Sequence, residues 1–136
     1  MALVDEIKVN AVVENLDKVQ GFIDERLEAA DCSPKAQMQI ALSVEEIFVN
    51  IAHYAYKGGE GDATIRISID DGIATVTFID SGIQYDPLAN DEPDVTLSAE
   101  EREIGGLGIF ITRKSMDEVS YEYKDGHNVL TLTKKI

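Results

Sequence analysis

The chain has 136 residues, 44% hydrophobic and 28% charged, which fits a single domain over residues 1–136 and is too short for two. A formal net charge of -14 repels phosphate backbones and argues against direct nucleic-acid binding. The lone Cys32 excludes an intrachain disulfide, no apolar run approaches the roughly 20 residues of a membrane span, and residues 1–6 lack a signal-peptide core, so a cytoplasmic protein is expected.

Residues 7–12 alternate and predict a short strand. Leu16, Val19, Ile23 and Leu27 recur at helical spacing, predicting a helix over residues 15–30. Ser33-Pro34 is a helix start, with Ser33 as cap and Pro34 at the first helical position. Met38, Ala41, Val44, Ile47, Phe48 and Ile51 then predict a long second helix to about Tyr54, ended by the glycine-rich residues 57–61. Residues 63–69 alternate with Ile65, Ile67 and Ile69 on one face, Asp70-Asp71-Gly72 is a hairpin turn, and residues 74–79 return. Residues 86–103 hold seven acids against one base, so this stretch is expected to be a mobile segment rather than core. Gly105-Gly106-Leu107-Gly108 opens a helix over residues 109–116. Residues 119–123, a turn at 125–128 and residues 129–133 form a second hairpin. Hairpins in place of repeated βαβ units predict an α+β fold: a two-layer sandwich of a mixed, mostly antiparallel sheet with helices on one face.

Three groups of residues could carry chemistry. Glu46 and Asn50 lie four apart and share a face of the second helix, with Ile40, Val44, Ile47 and Ile51 opposite. That is the pattern of a solvated helical face, or of a cavity lining in which Asn50 offers a hard oxygen to Mg²⁺ and Glu46 accepts a proton. Asp80-Ser81-Gly82 ends a strand, either as an ordinary turn or as a carboxylate that accepts from a ligand amine while Gly82 lets the ligand approach. Gly105-Gly106-Leu107-Gly108 at a helix start is loop-to-helix packing or a phosphate cradle. The dinucleotide fingerprint and the Walker pattern are both absent.

In this order, on these elements, the three groups resemble the ATP-binding domain shared by gyrase, MutL and histidine kinases. More narrowly, the sequence is similar to the stand-alone anti-sigma-factor serine kinases of bacterial partner-switching systems. Glu46-x-x-x-Asn50 matches the first box of that family, and Asp80-Ser81-Gly82 with Tyr85-Asp86-Pro87 the second. Gly105-Gly106-Leu107-Gly108-Ile109-Phe110 matches the third, while Asp117-Glu118-Val119 and Asn128-Val129-Leu130 match the tail.

The resemblance implies a histidine-kinase-like ATPase fold of the Bergerat type, with ATP and Mg²⁺ as cofactors. It implies that Asn50 holds Mg²⁺ and Asp80, beside Gly82, accepts from the adenine amino group. It makes Glu46 the general base, residues 86–104 the lid, and Gly105, Gly106, Leu107 and Gly108 the hinge and phosphate site. Thr131 falls on the adenine side. The implied partners are a small anti-sigma-factor antagonist, phosphorylated on serine, and a sigma factor that is sequestered; relatives of this kind are often homodimers. An ATP-binding regulatory module that never transfers phosphate is the alternative. Two departures stand out: the family often has His where Tyr54 sits, leaving His53 without a role, and Gln84 replaces a common glycine.

Overall fold

The computed structural model describes residues 3–57, 59–88 and 106–136. Along the chain run β1 (Leu3–Asn10), α1 (Leu16–Ala29), α2 (Pro34–Tyr54), β2 (Asp62–Asp70), β3 (Ile73–Asp80), α3 (Gly106–Ser115), β4 (Glu118–Lys124) and β5 (His127–Lys135). The strands form one open sheet in the order β1-β2-β3-β5-β4, and all four pairings are antiparallel. Both hairpins close on two-residue Asp-Gly turns in which each residue has positive φ: Asp71 at 53° and Gly72 at 75°, Asp125 at 53° and Gly126 at 81°. This turn twists with the strands it joins, which fixes the register on either side. It is also shorter than the sequence suggested, so β5 begins at His127 and already includes Asn128.

Alternation along the strands sends one set of side chains inward. Ile65 and Ile67 of β2, Val76 and Phe78 of β3, and Leu130 and Leu132 of β5 are buried against Val19, Ile23 and Leu27 of α1 and Ile40, Val44 and Phe48 of α2. The intervening strand positions stay partly exposed, so the helices cover one face only. α1 packs on β2, α2 on β3 and β5, and α3 on β4 and α2. Ser33 caps α2 as expected, its Oγ accepting from the Ala36 N–H at 3.2 Å, with Pro34 in the first turn.

Three local expectations are revised. Met38 is 59% exposed rather than core, because it lies six residues before Val44 and so off the Ile40–Val44–Ile47 face. A 3-10 turn, Val13–Asn15, separates β1 from α1, so the strand stops at Asn10 and the helix starts at Leu16. β1 begins at Leu3, before the alternating apolar pattern, since its pairing is made by backbone and by cross-strand charge: Glu6 faces Arg66, 3.0 Å apart.

Candidate functional site

α2 carries the site along its length. At its C-terminal end, Ala55 and Tyr56 grip the segment that follows β3. The Ile83 N–H donates to the Ala55 carbonyl at 2.8 Å. The Tyr56 hydroxyl donates to the Asp62 carbonyl at 2.6 Å and accepts from the Ser81 N–H at 2.9 Å. Burial raises the Tyr56 phenol above its ordinary value, so it stays a donor at neutral pH. Gly82 has to be glycine here: a Cβ would lie 2.2 Å from the Ala55 carbonyl oxygen, a backbone atom that cannot turn aside.

Asp80 is the last residue of β3 and points inward, 6% exposed. Its Oδ1 accepts from the Gly82 N–H and from the Asn128 Nδ2, both at 2.9 Å. Among the described residues Oδ2 has no partner. Asp80 lines a cavity of about 50 Å³ with Asn50, Ile51, Phe78, Tyr121 and Asn128. The Asn50 carboxamide makes no hydrogen bond among the described residues, so its oxygen is available to a ligand or cation.

One turn earlier on α2, Glu46 faces a separate groove of about 390 Å³ between α2 and α3, shared with Ser43, Val49, Gly108 and Thr112. Burial, and after it the neighbouring Glu45 carboxylate, pushes Glu46 up to about 7, so its carboxyl exchanges a proton near neutral pH. α3 approaches so closely that a Cβ on Gly108 would sit 1.7 Å from Glu46 Oε1. The glycine therefore gives the carboxylate its room.

The structure thus brings Asn50 and Asp80 to one cavity, with Gly82 in the loop beside it, and brings Glu46 and Gly108 together in the adjoining groove. Gly106 and Leu107 are the first residues of α3. Gly105 and residues 89–104 of the expected lid lie outside the described residues. Thr131 is not brought to the cavity. It pairs with Thr77 and Ser120 on the sheet face away from the helices, because on β5 the inward positions are Asn128, Leu130 and Leu132. Asn128, directly across from Asp80 in the register, lines the cavity beside it. The sequence tail did contain Asn128, but counting the turn too long left its direction undefined. His53 is exposed and stacks edge-on against Tyr54, 6.0 Å between ring centres.

The sequence pattern of the histidine kinase-like ATPase domain matches residues 9–134. The chain belongs to this family. Within the histidine kinase-like family it is 32% identical over 112 residues to the serine-protein kinase RsbW of Listeria monocytogenes, covering 79% of this chain and 71% of that one. It is 30% identical over 103 residues to the serine/threonine-protein kinase BtrW of Bordetella bronchiseptica, covering 74% and 72%. The crystal structure of the RsbU and RsbW domains of a Mycobacterium tuberculosis protein matches 98% of this chain with a TM-score of 0.70 at 15% identity, which shows the fold; this chain spans 32% of that one. The expected architecture is borne out, and the Listeria and Bordetella relatives are named as a serine-protein kinase and a serine/threonine-protein kinase.

Proposed function

We propose that the protein is an ATP-dependent serine kinase acting on a small protein antagonist, and that it also sequesters a sigma factor. One observation carries this reading: a single helix presents Asn50 to the cavity at Asp80 and, one turn earlier, presents Glu46 with its raised proton affinity to the neighbouring groove. Base recognition and proton acceptance then lie along one line on α2, at the two ends of a nucleotide.

In this reading Asp80 Oδ2 accepts from the purine amine. The cavity holds only a water or two at about 50 Å³, so its mouth must widen for a base to enter. Among the described residues there is no group of three or more His, Cys, Asp or Glu side chains placed to cage a metal. Mg²⁺ commonly takes one or two protein oxygens and completes its shell with phosphate and water, so the free Asn50 carboxamide fits it. Bound there, the ion supplies charge neutralisation at the phosphates. Glu46 takes the proton from the serine hydroxyl as the serine oxygen bonds to the terminal phosphorus and ADP leaves with the bridging oxygen. The N–H groups that open α3 offer positive ends toward phosphate.

The antagonist and the sigma factor come from the sequence resemblance, and the names of the relatives support the serine-kinase part of the reading. A cytoplasmic location goes with them, and no helix among the described residues is long and apolar enough to cross a membrane. The test is incubation with labelled ATP, Mg²⁺ and candidate antagonists. Label on serine with wild type and its loss in Glu46→Gln are expected. Partner exchange driven by ATP without any label would establish the non-transferring module instead.

A further inference from the structure

Asn128 is 7% exposed, and its carboxamide is held on both sides. Nδ2 donates to Asp80 Oδ1 and to the Ile83 carbonyl, both at 2.9 Å. Oδ1 accepts from the Tyr85 N–H at 3.1 Å and from the Tyr121 hydroxyl. Two N–H donors and two acceptor positions exhaust what a carboxamide offers. Its orientation is not ambiguous either: the Tyr85 N–H can only face an oxygen, and that sends the amino group to Asp80. Asn128 therefore joins the end of β3, the segment after it, and β4.

The consequence for Asp80 is specific. Oδ1 already accepts two hydrogen bonds, so Oδ2 is left as the acceptor toward the cavity. Neither Asn128 N–H remains for a ligand. We infer that Asn128 is the positioning residue that makes this site choose a 6-amino purine over a 6-keto purine. A base amine meets a free carboxylate oxygen. A base carbonyl meets the same oxygen with no donor to satisfy it, and an unpaired polar contact is penalised. A carboxamide free to rotate would offer its N–H to the carbonyl and erase the difference. The inference rests on the reading that Asp80 receives the base.

The experiment measures ATP and GTP affinity by calorimetry with Mg²⁺ for wild type, Asn128→Ala and Tyr121→Phe, with thermal unfolding of each. Wild type should prefer ATP. Asn128→Ala should cut the ATP-over-GTP ratio about tenfold, the loss of one hydrogen bond to a charged group, with ATP affinity falling more than GTP affinity. Tyr121→Phe keeps the ring and removes one tether on Asn128, so it should cut the ratio about threefold. If Asn128→Ala weakens both nucleotides equally, Asn128 is merely structural and the inference is overturned while the nucleotide site stands. If Asn128→Ala does not fold, Tyr121→Phe decides, and an unchanged ratio overturns the inference. Wild type that binds neither nucleotide, or prefers GTP, removes the reading of Asp80 itself.

Discussion

Replacing Glu46 by glutamine should stabilise the protein at alkaline pH. Burial first, and the Glu45 charge second, lift the Glu46 carboxyl from 4.5 to about 7. At roughly 1.4 kcal/mol per pH unit, the full displacement corresponds to about 3.4 kcal/mol. Glu46 is only half-buried, and solvent screening reduces this to about 1–2 kcal/mol. The folded state holds the proton more tightly than the unfolded chain. Wild-type stability therefore falls as pH rises from 4.5 through about 7, and the penalty is complete above that. Glutamine keeps the size and carries no charge, and Glu46 has no hydrogen bond or ion pair among the described residues for the substitution to break. The two proteins should be equally stable near pH 4, with the variant ahead by about 1–2 kcal/mol at pH 8, a rise in Tm of roughly 3–8 °C for a domain of this size. Thermal unfolding across that range is the assay. Equal stability at pH 8, or an advantage that grows toward acid, would refute a half-buried carboxylate that resists ionisation.

Serine transfer should rise with pH through about 7 and level off above it, because Glu46 accepts a proton only when ionised; a rate flat from pH 6 to 8 places the base elsewhere. Asp80→Asn should weaken ATP binding by at least about 1.5 kcal/mol in calorimetry, since an amide can present a donor where the amine needs an acceptor. Gly82→Ala and Gly108→Ala should separate in character. The first drives a Cβ to 2.2 Å from the Ala55 backbone and should cost about 2 kcal/mol or more in thermal unfolding. The second meets only the end of the Glu46 side chain, so stability should change by less than about 1 kcal/mol while transfer fails as the carboxylate turns away.

Much of the fold was legible because its signals are local. Ser33-Pro34 specifies a helix start, Asp71-Gly72 and Asp125-Gly126 specify turns with positive φ, and the isoleucines of β2 show their face by alternation. Met38 shows where such reading ends. One apolar residue on a long helix does not say which side another element will cover. The site divides in the same way. Glu46 and Asn50 are one turn apart on a helix, and Asp80 ends a strand, so residue type and spacing pointed to all three before any packing was known.

Sequence by itself determined the helix that pairs Glu46 with Asn50, the strand end that carries Asp80, and the glycines beside them. Only the tertiary structure decided which way β5 faces. The turn, two residues shorter than expected, brings Asn128 into the strand across from Asp80, and because a strand side chain changes sides with every residue, Leu130 and Leu132 share the Asn128 face while Thr131 falls on the opposite one. It also decided that Glu46 holds its proton to about 7. Proton affinity depends on how much water and which charges surround the carboxyl; the Glu45 charge beside it is written in the sequence, but the larger cause, burial, comes only from the packing that brings α3 and Gly108 against Glu46.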